Sequence, residues 1–227
     1  MLVVADTSVL LNLCRIREER LLLGLFHSVW ITPAVRLEFV KHSLDHHRFL
    51  GLALPDWVQE KRPQMIPAEV TGCPGLDAGE AEALALALEI RADAVLLDEL
   101  AGRHAAVRLH LPHVGTVGIL IRAKRSGLII AVQPLIGQLE QEAGFWINPR
   151  LRTEILCLAG EWQRVGSSAG ATGMAPILSA ARGVCQATED AGRNPESQRS
   201  TKSRRIDSQV FPARCFAIRN SHHASRP

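Results

Sequence analysis

Short apolar runs alternate with longer amphipathic stretches along the first 160 residues of the chain. Three runs, Leu2–Ala5, Ser28–Ile31 and 94–97, have the mainly apolar character of strands buried in a parallel sheet. A brief strand is also predicted at 112–115, and 57–58 fits either a short strand or a helix. Helical spacing predicts helices at 9–25, 33–42, 79–90, 100–109, Thr116–Arg125, 132–142 and 149–159. This alternation predicts a three-layer α/β/α domain around a central parallel sheet.

The composition changes near Gln163, and this change divides the chain. From that residue onward there are ten Lys/Arg and four Asp/Glu, a balance of +6, whereas the preceding part carries 16 basic and 19 acidic residues, a balance of −3. Gly, Ser, Ala, Arg and Pro dominate this end, and apolar periodicity is lost. Such a segment buries too little apolar surface to offset its ordering entropy. We therefore predict a folded domain over 1–160 and a largely disordered basic tail over 161–227.

The cysteine content and the hydropathy of the chain indicate its cellular compartment. The five cysteines are odd in number and widely spaced, with no C-x-x-C pair, so a disulfide framework and a zinc knuckle are both disfavoured. The first residues lack the basic region of a signal peptide, and no apolar run approaches the length of a membrane span. These features predict a cytoplasmic protein that makes no membrane contact.

Two carboxylates follow apolar strands directly. Asp6 ends the run Leu2–Ala5, and Asp98 ends the run 94–97. In a parallel sheet the carboxyl ends of the strands meet at one edge, which is where open α/β sheets bind their ligands. Each aspartate alone is more often a turn residue, and only their shared placement favours a site.

Two glutamates are predicted to join them. Glu80 lies in the first turn of a helix that leads into the strand ending at Asp98, on the same face as Leu84. Glu38 lies in the helix that leaves the sheet edge, and its side chain is expected to lean back towards Asp6. Glu82 falls on the opposite, solvated side of its helix and is the fallback candidate.

Carboxylates crowded at one edge repel each other, a cost that a divalent cation removes. Mg²⁺ and Mn²⁺ prefer hard oxygen ligands and can activate a water for attack on a phosphodiester. A P-loop is excluded, because the G-K-[ST] signature is absent. An aspartyl-phosphate phosphatase would need a second Asp two residues after Asp6, where Ser8 stands.

The motifs together resemble the PIN-domain superfamily of metal-dependent ribonucleases, which includes the toxins of VapBC-type toxin–antitoxin systems. The resemblance rests on V-V-A-D-T-S, I-T-P-A-V-R-L-E, G-E-A-E-A-L-A-L-A and A-V-L-L-D, and on L-D-A-G-E-A-E-A and G-T-V-G-I-L, which are most similar to a poorly characterised prokaryotic branch. It covers roughly residues 1–160.

The resemblance implies a PIN-like nuclease domain with a Mg²⁺ or Mn²⁺ site and an RNA substrate. By position, the acidic residues of the family's site correspond to Asp6, Glu38, Glu80 and Asp98. Family members often carry Asp where this chain has Glu80. The resemblance further implies a type II toxin, a small antitoxin partner and a homodimer.

Two alternatives stay open at this point. A catalytically inactive PIN-like module could use the same acidic pocket to bind RNA or a protein without turnover. Several basic residues could line a phosphate backbone, although cations near helix ends are favoured on dipole grounds alone. These candidates are Arg103, Arg108, Arg122, Lys124 and Arg125.

Overall fold

The computed structural model describes residues 1–161, and within them a five-stranded parallel sheet is flanked by helices. The strands are β1 (Leu2–Ala5), β2 (Ser28–Ile31), β3 (Gln59–Glu60), β4 (Ala94–Leu96) and β5 (His113–Val114). The sheet order is β3-β2-β1-β4-β5, and every neighbouring pair is parallel. The predicted α/β domain with a central parallel sheet is confirmed. The predicted tail lies outside the described residues, apart from Glu161.

The helices of the described part follow the strands in alternation. They are α1 (Thr7–Arg15), α2 (Leu21–Leu25), α3 (Pro33–Asp45), α4 (Ala68–Thr71), α5 (Ala78–Glu89), α6 (Leu100–Arg108), α7 (Thr116–Arg125), α8 (Gln133–Gln138) and α9 (Pro149–Leu158). None of the helices in residues 1–161 combines the length and the apolar character that crossing a bilayer requires.

The central strand β1 organises the core. Val3 pairs with Val29 on one side and with Ala94 on the other, and Val3, Val4 and Ala5 are fully buried. A strand buried on both faces needs a continuous apolar run, because each successive side chain enters a packed layer. The parallel strands end together, and Asp6 N–H donates to the carbonyl of Leu96 at 3.0 Å just beyond β1. The carboxyl edge is therefore lined by the residues that follow β1 and β4.

Two predicted helices differ from the structure. The helix predicted over 9–25 is two helices, because α1 ends at Arg15 and Arg17 adopts a left-handed φ of 59°. The helix predicted over 132–142 is α8 followed by a π-helical turn, Leu139–Ala143, which Gly144 ends with a φ of 72°. The segment 57–58, predicted as a short strand or helix, immediately precedes β3.

The end of the described chain is attached to the domain through Glu161. Its carboxylate accepts hydrogen bonds from the N–H groups of Val132 (2.6 Å) and Gln133 (2.8 Å) at the start of α8. It also pairs with Lys124 on α7 at 2.5 Å. One side chain, three residues beyond the end of α9, thus links the end of the described chain to α7 and α8.

Candidate functional site

Asp6 caps α1 at the carboxyl edge of the sheet. Its side chain accepts a hydrogen bond from Ser8 Oγ at 2.8 Å and a longer one from the Ser8 N–H at 3.3 Å, both on Oδ2. The residue is only 3% exposed, and its Oδ1 is a buried atom with no hydrogen-bond partner in the described part of the chain. An anionic oxygen without a partner is costly in the interior, so this atom is one that a cation would satisfy.

The charge state of Asp6 reflects this environment. Burial raises the pKa of Asp6 from 3.8 to about 7, and the Ser8 hydrogen bond opposes the shift only in part. The negative charges of Glu38, Asp77 and Glu80 raise the pKa further. The carboxylates that the strands and helices bring to this edge are therefore close enough to repel one another.

Glu38 reaches the site from the second turn of α3. Thr7 Oγ1 donates to its Oε2 at 2.8 Å, which ties the α3 glutamate to the start of α1. His42, one turn later, places Nε2 3.5 Å from Oε1. A Cβ at Gly79 would lie 3.0 Å from Glu38 Oε2, so the glycine lets α5 begin against this carboxylate. The predicted lean of Glu38 towards the residues around Asp6 agrees with these contacts.

Glu80 is 1% exposed and serves a capping box at the start of α5. Its N–H donates to Asp77 Oδ1 at 2.8 Å, while the Asp77 N–H donates back to Glu80 Oε2 at 3.2 Å. Its Oε1 accepts from the Gly102 N–H of α6 at 3.1 Å, and a Cβ at Gly102 would lie 2.7 Å from that oxygen. Burial raises the pKa of Glu80 to about 7, the charges of Asp77 and Glu99 raise it further, and the hydrogen bonds from the Asp77 and Gly102 N–H groups oppose the shift only in part.

Asp98 is held by donors from two helices. Its Oδ1 accepts from the Thr116 N–H at 2.8 Å, and its Oδ2 accepts from Thr116 Oγ1 at 2.6 Å and from Asn12 Nδ2 at 2.9 Å. A Cβ at Gly115 would lie 2.8 Å from Oδ1, so the carboxylate fits only because that residue is glycine. Asp98 therefore lies at the predicted edge, with three of its acceptor positions already used by the protein.

Among the described residues, the group of three carboxylates whose oxygens lie close enough to share an ion differs from the four predicted positions. It joins Glu80 to Asp77 and Glu99, with one oxygen of each lying within 4.8 Å of the others. Glu82, the fallback, instead accepts a hydrogen bond from the Ala34 N–H at 3.1 Å, at the start of α3. The arrangement offers hard oxygen ligands to a divalent cation.

Several residues of the site were missed by sequence reasoning. Asp77 could have been identified from the sequence, because Asp-x-x-Glu ahead of an apolar helix is the pattern of a capping box. The sequence marks Asn12 less clearly, as a polar residue within the apolar run of α1. No sequence pattern identifies Glu99 or Thr116, since their roles depend on how α6 and α7 approach the strand ends.

The basic residues considered for a phosphate-binding rim make contacts within the domain. Arg103 is 5% exposed, and its guanidinium donates to the Asp98 carbonyl at 2.9 Å. Arg122 lies over the Phe26 ring, at 5.3 Å from its centroid. Hydrogen bonds from the others reach Gly72 (Arg108), Glu161 (Lys124) and Leu158 (Arg125). These contacts give the basic side chains structural roles, in agreement with the explanation that cations near helix ends are favoured by the helix dipole alone.

Comparison with known families bears on this site. Residues 2–161, more than half of the chain, match the family model described as DUF3368: PIN domain. The match confirms the resemblance drawn from the sequence motifs. Searches of curated proteins and of solved structures gave no match.

Proposed function

We propose, because the chain belongs to the PIN-domain family, that it is a metal-dependent endoribonuclease that hydrolyses RNA phosphodiester bonds. Family membership carries a nuclease-type fold, and the acidic group at the sheet edge is compatible with a divalent metal. The metal we propose is Mg²⁺ or Mn²⁺. Its proposed ligands are the four carboxylates predicted from the sequence, Asp6, Glu38, Glu80 and Asp98.

The observation that carries this proposal is the buried oxygen of Asp6 that lacks a hydrogen-bond partner. Within residues 1–161, none of the ion pairs involves Asp6 or Glu80, so their charges are not neutralised by a basic side chain. A cation would satisfy the orphan oxygen and would offset the burial and, to a smaller extent, the repulsion that raise the pKa values of Asp6 and Glu80. The residues present therefore fit a divalent cation.

Asp6, Asp98 and Glu38 are held in place by different neighbours, and this suits the parts that we propose for them. A divalent cation held by these carboxylates would supply an activated water and would stabilise the charge that develops on the phosphodiester. Asp6 keeps its orientation through Ser8, and Asp98 keeps its own through Asn12 and Thr116. Glu38 is only partly buried and is steadied by Thr7, which suits a residue that binds the metal or orients the attacking water.

The test is cleavage of a mixed RNA pool by purified protein in Mg²⁺, in Mn²⁺ and in EDTA. We expect cleavage that requires the metal and disappears in Asp6→Asn, which also controls for contaminating nuclease. Asparagine caps helices as well as aspartate does, so this variant should fold. Absence of cleavage by folded protein with either metal would refute the nuclease.

A specific observation favours one alternative, a PIN-like module that binds RNA or a protein without turnover. The carboxylates of Asp98 and Glu80 already accept hydrogen bonds at both oxygens, so neither needs a cation to be satisfied. RNA that is retained by the protein but never cut, with or without metal, would favour this module over the nuclease.

The finer role that we propose is that of the toxin in a type II toxin–antitoxin pair, with a small antitoxin protein as partner and the cytoplasm as compartment. Expression of the chain in bacteria should then arrest growth, and Asp6→Asn should relieve the arrest at equal protein level. Normal growth with active, soluble wild-type protein would exclude the toxin role.

We also propose a homodimer, with the outer face of α3 covered by a second copy of the chain. PIN-type domains often pair through helices, and this helix exposes Leu37 (72%), Val40 (43%) and Leu44 (68%) along one stripe. Light scattering should give twice the chain mass, and Leu37→Lys with Leu44→Lys should give the monomer. A monomeric wild-type protein would exclude this pairing.

A further inference from the structure

Aromatic rings are packed against one another at the end of helix α3 and in the loop that follows it. His46 stacks on Phe49 with the ring centroids 5.0 Å apart and an interplanar angle of 29°. His47 stacks on His46 in turn, with the centroids 4.9 Å apart and an angle of 20°. Both separations lie in the range of about 4.5 to 7 Å that aromatic pairs prefer. These three rings therefore form a continuous stack, which we call the histidine stack.

The histidine stack runs from the core of the domain to its surface. Phe49 is 4% exposed, His46 is partly buried, and His47 is exposed. Packing of the core accounts for Phe49 and for the ring that covers it, but it does not require a further ring outside them. Because His47 uses one face of its ring against His46, its exposed side can accept another planar group, which would continue the stack.

His42 connects the histidine stack to the candidate site. Its ring packs edge-on against His46 at 5.8 Å and against Phe49 at 6.3 Å, and its Nε2 lies 3.5 Å from Glu38 Oε1. The stack is thus one ring away from a proposed metal ligand. The exposed stripe that includes Leu44 lies on the other side of α3, about 160° from His42 around the helix axis, so the homodimer face proposed above does not include His42.

The charges beside the histidine stack favour a polyanion. Lys41 is exposed on α3, and Arg48 directly follows His47, with its guanidinium in the space that a Cβ at Gly144 would fill. Within residues 1–161, none of the ion pairs involves Lys41 or Arg48. One carboxylate, that of Asp45, lies between them in the chain. Two cations against one carboxylate leave a positive balance next to an otherwise acidic site.

We propose that the histidine stack binds single-stranded RNA, with an unpaired base stacked on the exposed ring of His47 and the adjoining phosphates beside Lys41 and Arg48. Proteins bind single strands by stacking their unpaired bases on aromatic side chains, including histidine, whereas the bases of a duplex are already stacked on one another. This proposal rests on the proposed function in one respect, that the chain acts on RNA. It specifies the form of the RNA, an unpaired strand, and a place where that strand is held next to Glu38.

The test is the affinity of the full chain for a fluorescently labelled, mixed-sequence single-stranded RNA in EDTA, measured by fluorescence anisotropy. EDTA prevents metal-dependent cleavage, so that binding is measured apart from the reaction. We expect His47→Ala to bind at least about fivefold more weakly, the smaller end of what the loss of one stacked base causes. His47→Phe keeps an aromatic ring and should bind like the wild type. The matched control is His27→Ala, an exposed histidine at the opposite edge of the sheet, which should also bind like the wild type.

Two further RNA probes separate stacking from charge. An abasic strand has the same phosphates but no bases, so its affinity should be equal for the wild type and His47→Ala. A duplex of the same sequence should bind more weakly than the single strand, because it offers no unpaired base. Circular dichroism melting verifies that each variant is folded.

Equal affinity of the wild type and His47→Ala for the single strand would overturn the proposal, as would a wild type that binds no RNA or prefers the duplex. A loss of affinity in His47→Ala that is as large for the abasic strand, or that His47→Phe shares, would also overturn it. RNA cleavage in Mg²⁺ is scored separately. Binding that depends on His47 without any cleavage would support the histidine stack while refuting the nuclease, and cleavage with unchanged binding in His47→Ala would do the reverse.

Discussion

Replacing Asp6 with asparagine should make the metal-free protein more stable at neutral and alkaline pH, even though it damages the site. In the folded protein burial raises the pKa of Asp6 from 3.8 to about 7. Between these two values the folded state holds a proton that the unfolded state has already released. Stability therefore falls as the pH rises through this window, and the contribution is lost above the folded pKa.

The size of the effect follows from the width of the window. Each pH unit between the two pKa values changes the free energy of unfolding by about 1.4 kcal/mol, so Asp6 alone should cost about 2 to 3 kcal/mol between pH 5 and pH 7. Glu80, whose pKa is also raised to about 7, adds a dependence of the same sign. Asp6→Asn should remove the pH dependence of stability that is due to Asp6 and leave the part that is due to Glu80.

The measurement is urea unfolding in EDTA at several pH values from 5 to 8, for the wild type, Asp6→Asn and the exposed control Asp56→Asn. We expect the stability advantage of Asp6→Asn over the wild type to grow by about 2 to 3 kcal/mol from pH 5, where folded Asp6 is still protonated, to pH 8, where it is ionised. A buried amide hydrogen introduced by Asp6→Asn that lacks a partner would shift this advantage by about 1 to 3 kcal/mol at every pH, without changing its dependence on pH. The difference in pH slope is therefore the decisive quantity, and parallel curves for the wild type and Asp6→Asn would refute the reasoning.

Two further predictions concern the support of the site and the end of the domain. Gly115→Ala should lower the free energy of unfolding by about 1 to 3 kcal/mol, because the added Cβ would lie 2.8 Å from Asp98 Oδ1. Thermal melting measures this effect, with Gly137→Ala as the control because a Cβ at Gly137 would meet no atom within 4 Å. Equal melting points for the two variants would contradict the prediction. Glu161→Gln should destabilise the domain at neutral pH but not at acid pH. Burial raises the pKa of Glu161, but hydrogen bonds, including that from Lys124, outweigh burial and leave the pKa lowered, so its stabilisation is lost as the pH falls through the folded pKa. Chemical unfolding at pH 7 and pH 3.5 tests this, and a loss of equal size at both would be inconsistent with it.

Local patterns were sufficient for much of the fold. The bounds of β1 and β2 agree with the apolar runs that predicted them, because a strand buried in a parallel sheet needs such a run. The start of α3 follows from Thr32 and Pro33, which supply the cap and the first helical residue. The break between α1 and α2 was missed, since the left-handed turn at Arg17 occurs in a charged stretch that also suits a helix surface.

The site was less accessible from the sequence. Asp6 and Asp98 share one edge because the sheet is parallel. The short apolar runs and the helical periodicity of the stretches between them predict such a sheet. The donors to Asp98 could not be predicted in this way, because Asn12 is 86 residues away and comes within hydrogen-bond distance only in the folded domain. The convergence of Asp77 with Glu99 likewise depends on Gly102 bringing α6 against α5. The metal ligands themselves stay predictions.

The central position of β1 also affects how the domain is made. This strand precedes both of its partners in the chain, and Val3 pairs with Val29 and with Ala94. During synthesis one side of β1 can be paired early, whereas the other must wait for some sixty more residues, so an apolar strand edge stays open to other chains in the meantime. Pairing across such a separation also raises the contact order, which slows folding. Production of this protein should therefore benefit from slow translation and low temperature, conditions that limit encounters between incomplete sheets.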